Sequence, residues 1–308
     1  MNYTLSQLNI FLKVVENESI TKAAAELLLT QPAVSIQLKN FQAHFDVPLT
    51  QVVNRKLYIT DFGQEIAKTA KRILNEANEI KFKTAKFKGE ITGQLTISVV
   101  STGKYVIPYF LHDFLKANPA VELKLDVSNK SKIIEDLESN AVDFSLVSIL
   151  PEKLNLERIR LMKNKLYLVS NLDFDKTKIQ TIKDLPSDTP FIFREFGSAT
   201  RISMENFLNR NEVAIKRSIV LTSNEAVKQA VIAKLGISIM PLIGISNELI
   251  NKQLKIIPVK NLPISSEWNL VWTKGKRMYP AAKAFIEFIE NEKERIIKEN
   301  FAWYEAYQ

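Results

Sequence analysis

Residues 30–39 read TQPAVSIQLK, and the side chains offered there are suited to hydrogen bonding rather than to burial. The Gln31 amide can give and accept at once, the Ser35 hydroxyl does either, and Pro32 and Ala33 add small apolar surfaces. Base edges in the major groove of duplex DNA present those partners: Gln suits adenine, Ser suits several edges, and an apolar group meets the thymine methyl. Gln31, Pro32 and Ser35 are therefore the candidate base-contacting residues. Thr30, Lys39, Arg55 and Lys56 are the candidates for the phosphate backbone, where contacts give salt-dependent affinity without sequence preference. Taken singly, Thr30 or Ser35 reads more simply as a helix cap. It is the joint arrangement of polar turn and following cations that points to a duplex.

A second set of small polar residues recurs after apolar runs further along: Ser101, Thr102 and Gly103; Ser128 and Asn129; Ser148; Gly197, Ser198, Thr200 and Arg201; Thr222 and Ser223. Ligands of open α/β sheets gather outside the carboxyl ends of the strands, where helix N-termini leave N–H groups free. Such a ring suits a carboxylate or another small anion, with Arg201 or Lys104 as counter-charge. Each hydroxyl alone reads as an N-cap, so here too the joint placement carries the expectation. Catalytic chemistry finds no footing. There is no Cys, neither His44 nor His112 joins a Ser/His/Asp arrangement, and neither a Walker-type loop nor GxGxxG occurs. No catalytic residue, metal site or cofactor is expected.

These residues need elements to hold them. Leu8, Phe11, Leu12 and Val15 recur at helical spacing, with Ser6 as a plausible start signal. Ser19 offers a cap for a second helix, ITKAAAELLL, and Thr30 for a third, with Pro32 in its first turn and Ala33, Val34, Leu38, Phe41 and Phe45 available to a core. Two helices so closely spaced predict a helix-turn-helix, and RKLYIT beside it a wing. From Asp61 to about Lys88 a long helix follows, in which Ile66, Ala70, Ile73, Ala77 and Ile80 step by four and three. That heptad pattern predicts a dimerisation face, because no compact partner for it is evident earlier in the chain.

Beyond KGEITGQ the pattern changes to strands alternating with helices, the rhythm of a parallel sheet covered on both faces. QLTISVV, VELKLDV, VDFSLVSI and LYLVSN read as strands, and a second set includes PFIFRE, SIVLTS and ISIMP. Crossovers at LYLVSN and near ISSEWNLVW make a bilobed unit with a cleft. The expected organisation is 1–60, a winged helix-turn-helix; 61–90, a linker helix; and 91–308, two lobes at about 91–166 with 268–292 and about 167–267. The tail FAWYEAYQ reads as a helix extension or a loose end.

The 308 residues carry a formal charge of +8, and residues 1–88 hold twelve Lys or Arg against eight Asp or Glu. That balance makes nucleic acid an acceptable partner. The start lacks the pattern of a signal peptide and nothing runs about 18 apolar residues unbroken, so a soluble cytoplasmic protein is expected.

The segment from LNIFLKVV to LYITDFG resembles the winged helix-turn-helix of LysR-type transcriptional regulators. The resemblance lies in Leu8, Phe11, Ser19, Thr21, Ala23, Ala24, Leu27, Thr30 through Ser35, Thr60 and Gly63. Less specifically, the rest to about residue 292 is similar to that family's effector-binding portion and to two-lobed periplasmic binding proteins. The chain departs from the family pattern at Ile36, Gln42, Thr50 and Val52. The resemblance implies an α/β protein that binds operator DNA as a homodimer or homotetramer near RNA polymerase, with a small effector in the cleft. In it, the positions of Gln31, Pro32 and Ser35 approach bases, and those of Arg55 and Lys56 lie on the wing. The competing reading is a small-solute binding protein without a DNA role, against which the TQPAVS helix counts.

Overall fold

The computed structural model describes residues 3–54, 56–87, 90–175, 177 and 179–307; for 75 and 78–87 it describes the backbone alone. The chain divides into two compact units, Met1–Glu90 and Ile91–Gln308.

The first unit runs α1 (Leu5–Asn17), α2 (Ile20–Glu26), α3 (Gln31–Gln42), β1 (Thr50–Val53), β2 (Lys56–Ile59) and α4 (Asp61–Phe87). Each of the first three helices starts on a hydroxyl. Thr4, not Ser6, caps α1: its Oγ1 accepts from the Gln7 N–H at 3.2 Å, and Gln7 Oε1 accepts in return from the Thr4 N–H at 2.9 Å. Reciprocal bonding of that kind satisfies two donors that a helix start leaves without partners. Ser19 Oγ accepts from the Lys22 N–H and Thr30 Oγ1 from the Ala33 N–H, as expected. The second helix is shorter than its apolar run suggests. It stops at Glu26, and Leu28 takes a left-handed backbone (φ 54°) with its side chain in solvent.

The core of this unit unites Leu8, Ile10, Phe11, Val14, Ala23, Ala24, Val34, Leu38, Phe41 and Leu49 with Ala67 and Ala70 of α4. The small Ala23 and Ala24 let the helices approach closely. Ala70 corrects the sequence expectation: at 1% exposure it is spent on its own unit, because α1 supplies the packing partner that the heptad reading took to be missing. Ile66 and Ile73 are half-buried against the same core, Ala77 is half-buried, and the Ile80 side chain lies outside the described residues.

Thr60 and Gly63 join the wing to α4. Thr60 Oγ1 donates to the Pro48 carbonyl at 2.7 Å and accepts from the Gly63 N–H at 2.9 Å. A Cβ on Gly63 would lie 2.1 Å from the Leu49 carbonyl oxygen, so only glycine lets the helix begin this close to that backbone.

The second unit is built from β3 (Gly93–Val100), α5 (Ile107–Ala117), β4 (Val121–Ser128), α6 (Lys130–Glu138), β5 (Phe144–Val147), β6 (Leu156–Ser170) and β7 (Phe191–Arg194). Then follow α7 (Ala199–Arg210), β8 (Ser218–Leu221), α8 (Asn224–Ile232), β9 (Ser238–Pro241), α9 (Ser246–Ile250), β10 (Lys255–Ile256), β11 (Ile264–Thr273) and α10 (Pro280–Ala306). One sheet has the order β10-β6-β11-β5-β3-β4, with β9 also on β6; β3 is parallel to β4 and β5, while β11 is antiparallel to β5 and β6. The pair β7–β8 is parallel and meets the start of β9 through a Phe191–Ile237 bridge.

The crossovers are longer than expected. β6 spans fifteen residues: residues 156–166 pair with β11, which lies beside β5, and residues 166–170 pair with β9 and β10. Both lobes share that strand, and its pairing passes from β11 to β9 at Leu166. The lobe formed by β7, β8, β9, α7 and their neighbours has a core of its own around Leu166, Leu168, Phe193, Met204 and Leu208. The tail is a helix extension. α10 runs to Ala306, past the expected limit of the first lobe at 292, with Phe301 and Tyr304 buried. It is fastened to β6 by Tyr304 Oη, which accepts from the Lys165 N–H at 2.6 Å, and by Lys165 Nζ, which donates to the carbonyls of Tyr304, Glu305 and Tyr307.

Candidate functional site

The third helix shows why its polar residues sit where they do. Val34, Leu38 and Phe41 turn inward and fix the helix, which leaves Gln31, Pro32, Ile36, Lys39 and Asn40 exposed and Ser35 half-buried. With Thr30 capping and Pro32 in the first turn, the helix start is held without using Gln31 or Ser35. Among the described residues neither side chain has a hydrogen-bond partner. The wing is an antiparallel hairpin in which Thr50 pairs with Ile59 and Val53 with Lys56. Thr50 Oγ1 donates to Gln42 Oε1 at 2.7 Å, tying the first wing strand to the end of α3. Two of the family departures are thus partners of each other. Val52 and Val53 are exposed on the wing beside the exposed Lys56, and Arg55 lies outside the described residues.

In the second unit, the carboxyl ends of β3, β4 and β7 and the start of α7 converge. Val100, Ser101, Thr102, Ser128, Asn129, Lys130, Arg194, Glu195, Ser198, Ala199 and Thr200 line a narrow cleft enclosing about 10 Å³ of free space. Six residues expected from sequence meet there: Ser101, Thr102, Ser128, Asn129, Ser198 and Thr200. Asn129 also caps α6, accepting from the Lys132 N–H at 3.0 Å, whereas Ser198 makes no side-chain cap bond at the head of α7.

Five expected residues are placed elsewhere. Gly103 is a packing position, since a Cβ there would lie 3.1 Å from Leu146 and 3.2 Å from Val99. Ser148 is buried off the cleft wall, Thr222 is exposed, and Ser223 caps α8 by accepting from the Ala226 N–H at 3.0 Å. Arg201 is already engaged: Nε donates to Glu205 at 2.7 Å, Nη1 donates to the Arg194 carbonyl at 2.9 Å, and its face lies 3.7 Å from the Phe196 ring centroid. Of the two cations on the wall, Lys130 and Arg194, the buried one is Arg194, 5% exposed and beside Glu195. The signal for it was a charged pair closing the apolar run PFIFRE.

Nearby, burial works against the charge of Lys228, but hydrogen bonds to Glu225 and Glu248 outweigh it and hold its pKa above the usual value. A wider groove of about 360 Å³ lies between β6, β11 and α10, where Arg160 and Lys163 face Glu267, Glu294 and Glu305. It is away from the strand ends that gather the small polar residues. Among the described residues no group of three or more His, Cys, Asp or Glu could hold a metal ion, and no helix is long and apolar enough to cross a membrane.

Both units match known families. Residues 5–64 match the model described as bacterial regulatory helix-turn-helix protein, lysR family, and residues 88–294 the model described as LysR substrate binding domain. The chain is 32% identical over 289 residues to the HTH-type transcriptional activator CmpR of Synechocystis sp., covering 94% of this chain and 95% of that protein. Among solved structures, the Synechocystis CcmR regulatory domain in complex with 2-PG is 30% identical, with a TM-score of 0.61 over 64% of this chain and 96% of that one. Full-length CbnR complexed with its target DNA shares the fold at 20% identity, with a TM-score of 0.66 over 94% of this chain and 99% of that one.

Proposed function

The chain belongs to the LysR-type transcriptional regulators, and on that premise we propose that α3 reads an operator while a small anion in the cleft sets the response. Gln31, Pro32 and Ser35 meet base edges; Thr30, Lys39, Arg55 and Lys56 meet phosphates. The observation that carries this reading is that the first turns of α3 are fixed from beneath by Val34, Leu38 and Phe41 while Gln31 and Ser35 remain unengaged.

The organisation follows as residues 1–60 for DNA, 61–90 for the linker and 91–308 for the effector. Two or four copies join through the linker helix, with Ile66, Ile73 and Ala77 nearer its surface than Ala70. No catalysis is assigned to the cleft, and the protein works in the cytoplasm, where its operator is.

The wing and Lys39 supply affinity without preference. Replacing Lys39 and Lys56 by Ala should weaken binding to operator and random duplex alike. The slope of log affinity against log salt should fall by about 0.9 for each lost phosphate contact, which a titration at four salt concentrations measures. A slope unchanged from wild type would remove these cations from the interface.

For the effector we propose a carboxylate or phosphate held by Ser101, Thr102, Ser128, Asn129, Ser198, Thr200 and Arg194. Hydroxyls, the N-termini of α6 and α7 and a buried guanidinium all favour negative charge. The structure of CcmR with 2-PG makes 2-PG the first compound to test. At a concentration about 100 times its Kd, a ligand that binds only the folded state adds about 2.7 kcal/mol. For a unit of this size that raises the melting temperature by about 5–10 °C. A screen of 2-PG and other small anions with no shift in any would leave the cleft without its ligand class.

A further inference from the structure

The cleft contains a two-point ion pair between neighbours in sequence. The guanidinium of Arg194 donates from Nε to Glu195 Oε2 at 2.8 Å and from Nη2 to Glu195 Oε1 at 2.9 Å. Two parallel N–H···O bonds are also how arginine takes a free carboxylate or phosphate. Glu195 therefore occupies the geometry that an anionic ligand would use. Arg201 offers no second fork, because Glu205, the Arg194 carbonyl and the Phe196 ring already engage it. The free space in the cleft, about 10 Å³, is about that of a single water probe. An anion of several heavy atoms needs more room than that, and the acceptor positions on the Arg194 fork are the ones Glu195 now fills.

We infer that Glu195 is an internal counter-anion, holding the Arg194 fork until the effector displaces it. The inference rests on the proposed anion site and names how that site is regulated. The incoming anion forms its two bonds to Arg194 only as Glu195 gives up its own, so the net gain is the difference between two similar interactions. Glu195 thereby sets the concentration at which the cleft responds. It also favours ligands that present two acceptor oxygens to one guanidinium, since an acceptor of one bond leaves half of the buried fork without a partner.

The exchange takes place where the lobes touch. Glu195 and Phe196 precede Gly197, whose φ is 83° and whose missing Cβ would lie 3.1 Å from Ser131 Oγ on α6 of the opposite lobe. The carboxylate can leave Arg194 by rotating about its own side-chain bonds, two residues before the point where the backbone comes close to the opposite lobe. A ligand that also displaces this segment biases the lobes by its difference in affinity for the two arrangements.

The test uses the full chain with Glu195→Gln and Glu195→Ala, titrated calorimetrically with 2-PG and with inorganic phosphate at pH 7. Glu195→Gln should bind one or both anions about tenfold to a hundredfold more tightly than wild type. Its melting temperature without anion should fall, because the buried guanidinium loses its counter-charge, and added phosphate should restore it. Adding Arg194→Gln to Glu195→Gln should abolish the gain. If wild type binds and neither Glu195 variant binds more tightly, the exchange is wrong and the cleft reading survives. If none of the three proteins binds either anion, both are overturned.

Discussion

Replacing Phe41 by Ala is expected to abolish operator binding although Phe41 touches no DNA. The side chain is fully buried on the inner face of α3, with ring centroids 5.2 Å from Phe11, 5.5 Å from Tyr3 and 5.1 Å from Phe45. Truncating a buried aromatic to Ala costs about 3–5 kcal/mol, part lost transfer energy and part cavity. A domain's whole stability is about 5–15 kcal/mol, so a small helical unit loses much of its margin. Aromatic neighbours arranged edge-on and tilted around one ring cannot close the gap without moving α1 and α3. Amide hydrogen exchange across Gln31–Gln42 should accelerate by about two to three powers of ten, while exchange in β3 and β5 of the second unit stays as it was. Unchanged protection in α3 would mean that the core residues named here do not position the helix.

The second large effect belongs to the outer face of the same helix. Gln31→Ala with Ser35→Ala removes no core contact, since Gln31 is exposed and Ser35 half-buried. Its cost should therefore appear in DNA discrimination and not in stability. A good bidentate contact is worth about 1–3 kcal/mol against the wrong base. The double variant should thus lose about tenfold to a hundredfold of its preference for operator over random duplex while its affinity for random duplex is nearly retained. Replacing Lys39 and Lys56 has the opposite signature, an equal loss on both duplexes. Equal loss on both duplexes in the Gln31 and Ser35 variant would instead make these residues structural.

Much of the winged unit was legible because its motif residues do local work. Thr30 and Ser19 cap, Ala23 and Ala24 permit close approach, and Thr60 with Gly63 fastens the wing to α4. Local hydrogen bonding and steric limits act over a few residues and leave their mark in the types found there. What was missed depended on partners distant in sequence. Ala70 was counted on the face for a second copy because the packing of α1 against Ala67 and Ala70 leaves no trace in spacing. The first half of β6 was hidden because Glu157, Arg158, Arg160, Lys163 and Lys165 break its apolar run, although a strand at the edge of a lobe can carry charges on its exposed side. The start signal falls at Thr4 and not at Ser6 because the reciprocal bonds between Thr4 and Gln7 close the first turn there.

The cleft was legible in kind and only partly in membership. Small polar residues at strand ends located its walls, but Gly103, Ser148 and Ser223 fit the same rule and serve packing, burial or capping, and Thr222 faces solvent. The counter-charge was expected at Arg201 or Lys104, and neither lines the cleft. Spacing cannot show that Glu205 and the Arg194 carbonyl already hold Arg201, nor that Arg194 faces the cleft.

The most direct test is an anisotropy titration of the wild-type chain and the Gln31→Ala, Ser35→Ala variant, at about 0.15 M salt. It uses two duplexes: the DNA upstream of the protein's own gene and a scramble of the same composition. The wild type should prefer the upstream duplex by about a thousandfold or more, and the variant should keep only a small part of that preference. Equal wild-type affinity for the two duplexes would contradict the claim that the first turns of α3 read bases.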